Sequence, residues 1–219
     1  MDGHASAVGG CIEDARRFDW TRYPDKYPGL CTPDESYHGV TYPERFGIEG
    51  AFITKATVQL MRDFGCCQQA QAAYVLNLGL ESLHLRIKKH CENALKVAVF
   101  LKSDDSITWV KYPHLEGDEN YELAKKYMPN GGCGVVSFGV KGGRSAAEAF
   151  MKELKVASIA THVADARTCC LHPASATHRQ MNDGELAAAG ITPDLIRFSC
   201  GIEDADDLIN DIKQALSKI

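Results

Sequence analysis

An apolar stripe between residues 70 and 102 constrains this chain more than any other feature. Ala73, Leu76, Leu80, Leu83, Ile87, Cys91, Ala94, Ala98 and Leu101 recur at steps of three and four, while Arg86, Lys88, Lys89, Glu92 and Lys96 fall off the stripe. That period collects the apolar side chains on one face of an amphipathic helix. A single helix over 70–102 exceeds a routine domain helix, so it reads as a spine joining two domains, ended by the polar run Ser103-Asp104-Asp105-Ser106. The alternative is a pair of helices broken near Gly79, because a mid-helix glycine costs only about 1 kcal/mol.

The sequence on either side of the stripe has a different grain. Residues 15–50 hold four of the eight prolines and four of the eight tyrosines, with no helical or alternating pattern. They predict a long loop, and the tyrosines with Trp20 favour an ordered, packed loop over a disordered one. After the stripe, strand-like runs at 107–112, 134–140, 156–163, 167–172 and 196–201 alternate with helical ones. A helix is predicted over 145–154. Asn182 with Glu185 three residues on reads as a capping pair for a short helix stopped at Gly190. The last helix, 204–218, starts at Asp204 and carries Leu208, Ile209, Ile212, Ala215, Leu216 and Ile219 on one face. Strands mixed with helices in this order predict an α/β fold, with a two-layer domain from about residue 103 to the end.

Composition removes several function classes. With 219 residues, 45% hydrophobic, and a formal charge of −5, the chain can bury a real core as a soluble globular protein. No run approaches 18 apolar residues and no basic segment leads into an apolar one near residue 1, so neither a membrane partner nor a secretory signal is expected and the cytoplasm is the expected location. Lys and Arg do not cluster with aromatics, so no nucleic-acid partner is expected. The nine cysteines include the adjacent pairs Cys66-Cys67 and Cys169-Cys170 and never take C-x-x-C spacing. That pattern argues against a disulfide framework and a zinc site, and for small reduced core residues.

Candidate chemistry is sparse. The clusters GGCG (131–134) and KGG (141–143) lack the spacing of a phosphate loop and read as turns. Histidines at 84 and 90, and at 172 and 178, do not place two ligands on one helical face, so no metal is expected. Around no serine is there a G-x-S-x-G elbow. The turn HPASATH (172–178) bunches His172, Ser175, Thr177 and His178 as a binding loop or a hydrogen-bonded structural turn would. Arg197 is the sharpest signal. It sits inside the apolar run IRFSC, where a guanidinium needs an anion and its planar fork suits a carboxylate. The alternatives are a strand-edge arginine with its head in water, or internal pairing with Glu203 or Asp204.

Three runs, LESLHLRIKKHCENA (80–94), VADARTCCLHPASATHRQM (163–181) and PDLIRFSCGIED (193–204), resemble the C-terminal half of the Cys/Met-metabolism family of pyridoxal-phosphate enzymes, nearest its O-acetylhomoserine sulfhydrylase branch. The resemblance runs over essentially the whole chain. It implies a fold-type I enzyme of which residues 1–69 are a remnant of the large cofactor-binding domain, 70–102 a linking helix and 103–219 the C-terminal α/β domain. DGHASAVGG (2–10) resembles the turn that follows the family's cofactor lysine, which places Gly3 and His4 near the cofactor and the lysine itself about two residues before Met1. The resemblance thus implies about half an enzyme, without the cofactor lysine and without turnover of its own.

The parent chemistry is a γ-replacement in which acetate leaves O-acetylhomoserine and sulfide adds to give homocysteine, with pyridoxal phosphate as electron sink. By resemblance Arg197 grips the substrate α-carboxylate and Thr177 supports that arginine, while His162 stands where the family usually has Asn or Ser. QQAQAA (68–73) departs from the family's Pro and Asn. The expected partners are a small-molecule amino-acid substrate and either a separate N-terminal half or further copies in a homo-oligomer. A C-terminal partner subunit of a split enzyme and a non-catalytic amino-acid-binding module remain alternatives, as do cystathionine γ-synthase and methionine γ-lyase within the family.

Overall fold

The computed structural model describes residues 1–219, which divide into two compact units: Val8–Tyr74, and Met1–Ala7 together with Val75–Ile219. In the first unit, short 3-10 turns at Trp20–Arg22 and Glu35–Tyr37 flank a single helical turn, α1 (Pro28–Cys31). The helix α2 (Tyr42–Lys55) follows, running on through a π-helical turn at Ala56–Met61 into α3 (Arg62–Phe64). The expected loop over 15–50 is therefore corrected at its end. Pro43, Gly47 and Gly50 disguise α2, because Pro43 sits in its first turn, where no amide partner is lost, and Gly47 takes φ 71° at a kink inside it. The remainder of that region is ordered and packed, as its aromatics imply. Trp20 lies 5.2 Å from Tyr27 and 5.6 Å from Phe52 between ring centroids, and Leu30, Tyr42 and Ala51 are buried.

Two helices occupy the stripe, α4 (Ala70–Glu81) and α5 (Leu83–Lys102), so the single long helix is corrected in favour of the pair. They part at Ser82, where ψ is 4°, three residues beyond Gly79. Gly79 has a different task. A Cβ there would lie 2.5 Å from Asp2 Cα, so the glycine admits a close backbone crossing. The stripe is buried only in its second half, at Cys91, Ala94, Ala98 and Leu101, while Leu80 and Ile87 are exposed and Arg86 is buried.

Beyond α5 the chain forms one mixed five-stranded sheet in the order β1-β2-β5-β4-β3: β1 (Ile107–Lys111), β2 (Val135–Val140), β3 (Ser158–Ile159), β4 (Cys169–Leu171) and β5 (Leu195–Ser199). Every pairing is antiparallel except β3 with β4. All five expected strands exist, though the one expected over 156–163 shortens to two residues. Interleaved are α6 (Tyr121–Tyr127), which the sequence reading lacks, α7 (Gly143–Glu153), α8 (Asp183–Ala188) and α9 (Ala205–Leu216). Asn182 and Glu185 close a complete capping box on α8, and Asp204 caps α9.

One core joins the layers. Val136, Phe138 and Val140 of β2, Ile196 and Phe198 of β5 and Cys170 of β4 face Ala94, Val97 and Leu101 of α5, Phe150 of α7, and Leu208 and Ile212 of α9. Because strand side chains alternate, the residues between them turn to the opposite face. There Ser137, Arg197 and Leu171 stand in register across β2, β5 and β4. No helix of the chain is long and apolar enough to cross a membrane.

Candidate active site

Arg197 stands on β5, the middle strand of the five, which removes the strand-edge alternative. Internal pairing is removed too. Glu203 accepts instead from the Thr168 amide at 2.6 Å and the Thr168 hydroxyl at 2.8 Å, and Asp204 caps α9 through the Asp206 amide. The guanidinium donates from Nη2 to Thr161 O at 2.8 Å, while its Nε is buried without a partner. A buried donor left unmade costs about 1–3 kcal/mol.

The acceptor Thr161 O belongs to a loop, residues 160–167, that a buried acid organises. Asp165, 2% exposed, accepts from His162 Nδ1 at 3.2 Å, the Arg167 amide at 2.9 Å and the Arg167 guanidinium at 3.3 Å. Burial pushes its carboxyl up, but the Arg167 and His162 hydrogen bonds together hold it below the usual carboxylate range. Ala164 takes φ 56°, a left-handed turn, and its amide donates to the Ser199 hydroxyl of β5 at 3.2 Å. The loop is thus tied to the strand that carries Arg197 at both Thr161 and Ala164.

Two further residues brace the end of β5. From α5, His90 Nδ1 lies 2.6 Å from Cys200 O, and Asn93 Nδ2 donates to Gly201 O at 3.0 Å and Glu203 O at 2.8 Å. Sequence reading weighed His90 only as a metal ligand and passed over Asn93, although polar residues at i and i+3 beside a buried stripe are the available signal. Both are at most 1% exposed, so they must find partners inside the fold.

The remaining expected residues are placed unevenly. Gly3 is buried at φ 79° and its carbonyl accepts from the Ala166 amide at 2.7 Å, which brings it to the same loop. His4 is exposed and its Nδ1 stays local, 3.1 Å from Asp2 O. His162 is brought beside Thr161 and fixed by Asp165. The Thr177 hydroxyl lies 2.9 Å from His178 Nδ1. His172, fully buried, pairs with the Ser175 hydroxyl at 2.8 Å and with Pro193 O at 2.9 Å, so HPASATH is held as a structural turn.

Residues 1–217 match the sequence profile described as Cys/Met metabolism PLP-dependent enzyme. The chain belongs to that family. It is 40% identical to the homocysteine/cysteine synthase of Saccharomyces cerevisiae over 229 residues, covering 100% of this chain and 51% of the relative. It is likewise 40% identical to the O-acetyl-L-homoserine sulfhydrylase of Leptospira meyeri over 227 residues, with 51% of that protein covered. A solved structure from Campylobacter jejuni, described as an O-acetylhomoserine (thiol)-lyase and containing N'-pyridoxyl-lysine-5'-monophosphate, superposes with a TM-score of 0.87 at 37% identity, covering 99% of this chain and 51% of that one. The chain spans about half the length of the relatives it matches. Its fold is that of half a pyridoxal-phosphate enzyme of this family, and the cofactor of the family is pyridoxal phosphate.

The residues present fit one end of such a site. Arg197 contributes a guanidinium whose Nε is left without a partner. None of the lysines is buried, and the half-buried Lys55 is held 3.0 Å from Asp34.

Proposed function

We propose that this chain contributes the substrate-carboxylate end of an O-acetylhomoserine sulfhydrylase site, the enzyme that replaces the acetate of O-acetylhomoserine by sulfide. Residues 1–69 then belong to the cofactor-binding domain, 70–102 to the link and 103–219 to the C-terminal domain. The observation that carries this reading is the buried, unpartnered Nε of Arg197 on the middle strand of the sheet. When bound, pyridoxal phosphate supplies the electron sink for the exchange at the γ-carbon. Arg197 holds the α-carboxylate through a charge-assisted fork, which aims the rest of the amino acid away from the strand. Thr161 O keeps the guanidinium from rotating, and Asp165 holds the loop that carries Thr161. His162, oriented through Nδ1 by Asp165, offers Nε2 to the same end of the substrate.

The cofactor lysine lies outside residues 1–219 on this reading, so the chain alone is inactive and works with an N-terminal half, in the cytoplasm. The test is a titration of the labelled chain with O-acetyl-L-homoserine while the Arg197 Nε–H resonance is followed. A saturable shift is expected, with binding measured by calorimetry weakened in Arg197→Lys, and no shift up to solubility would overturn the assignment. Pyridoxal phosphate added to the chain and reduced with borohydride is expected to mark no single lysine. A stoichiometric adduct at Lys55 or Lys141 would place the anchor inside this chain and refute the reading.

A further inference from the structure

The apolar stripe puts Arg86 on the solvent side of its helix, yet the side chain is only 9% exposed. Its hydrogen bonds all go to uncharged acceptors. Nη1 donates to Gly79 O at 2.7 Å and to the Ser82 hydroxyl, and Nη2 donates to Met1 O at 2.6 Å. Gly79 lies in the last turn of α4, where unpaired carbonyls and the helix dipole give the partial negative charge that a guanidinium needs out of water. The third acceptor belongs to a different stretch of chain, 85 residues away in sequence. Arg86 therefore ties the end of α4 to Met1.

Two glycines show how tightly Met1–Gly3 is seated. A Cβ at Gly3 would lie 2.7 Å from Arg86 Nε, and a Cβ at Gly79 would lie 2.5 Å from Asp2 Cα. From Gly3 the connection continues: its carbonyl accepts from the Ala166 amide, next to Asp165, in the loop whose Thr161 O receives Arg197. We propose that Arg86 is a positioning residue, which fixes Met1–Gly3 and through it the loop 161–167 that orients Arg197. The functional meaning rests on the sulfhydrylase reading, in which Gly3 also adjoins the cofactor.

The experiment is site-resolved amide hydrogen exchange on the full chain carrying Arg86→Met. Exchange at Ala166 is expected to rise on the order of 100-fold while Phe198 and Leu208 in the core change less than about 3-fold, the signature of local opening. The Arg197 Nε–H resonance should shift with it, and Arg86→Lys should recover part of the protection, since one ammonium reaches one of the carbonyls. Unchanged Ala166 exchange overturns the proposal, and so does a uniform rise at all sites, which would mean that Arg86 merely stabilises the fold. If Arg86→Met does not fold, Arg86→Lys is read in its place, and a smaller rise confined to Ala166 is expected. None of these readouts needs substrate or cofactor, so failure of the O-acetyl-L-homoserine titration would count against the functional reading and leave the role of Arg86 standing.

Discussion

The two compact units are held together by opposite means. In Met1–Ala7 with Val75–Ile219, a sheet and three helices share one apolar core of strand and helix residues with little accessible surface, and polar groups such as Asp165, His90 and Asn93 work at its margin. In Val8–Tyr74 there is no sheet. Rings crowd around Trp20 and Tyr42, and a single carboxylate, Asp34, gathers the Ser36 amide and hydroxyl, the Tyr42 hydroxyl at 2.8 Å and the Lys55 ammonium at 3.0 Å. The difference teaches that a long irregular segment stays ordered where aromatic burial and one saturated charge replace the hydrogen-bond ladders of a sheet.

The sharpest way to break the comparison is to damage each core and watch the other. Phe198→Ala removes a fully buried ring from the middle of the sheet and should cost about 3–5 kcal/mol. Unfolding followed by Trp109 in a Trp20→Phe background should shift by that amount, and by Trp20 in a Trp109→Phe background far less. Equal shifts at both reporters would mean that the two units unfold as one.

The converse damage is Asp34→Ala, which leaves the Lys55 charge without its partner and should cost the Trp20 transition about 3 kcal/mol. Its pH dependence sharpens the point. The Ser36, Lys55 and Tyr42 hydrogen bonds hold the Asp34 carboxyl well below the usual range, so its contribution is complete above the unfolded value of about 3.9 and is lost as pH falls from there. Burial and Asp34 push the Tyr42 hydroxyl up to about 12, so that contribution is complete below about pH 10 and is lost as pH rises toward 12. Thermal melts at Trp20 across pH should show both edges. In Asp34→Asn the acid edge should flatten, and an acid edge that persists unchanged would mean that other carboxylates hold this unit.

A smaller effect separates local from global order within the larger unit. Asn182→Ala opens the capping box of α8 and should cost about 1 kcal/mol, seen as faster exchange of the Glu185 amide with little change at Phe198. Equal loss at Phe198 would show that α8 is part of the main folding unit.

Periodicity and local chemistry made much of this protein readable in one dimension. The five strands, the capping box at Asn182, the start of α9 at Asp204 and the oddity of a charge inside IRFSC all follow from interactions between residues near in sequence. Family resemblance, carried by whole motifs, pointed to the same half-enzyme fold that the comparisons bear out. What sequence could not decide were the contacts made at a distance. Arg86 looks solvated until Met1 and Gly79 meet it, and Asp165 gives no sign that it will organise a loop. Gly79 resembles a helix break until the backbone of Asp2 crosses it. The family resemblance implies a role for Thr177 beside Arg197, and its motif gives no sign of the contact its hydroxyl makes at 2.9 Å with His178. Local propensities act over a few residues and survive in any context, whereas the partner of a buried polar group is chosen by whichever distant segment the fold brings within about 3 Å, and only the tertiary structure supplies that choice.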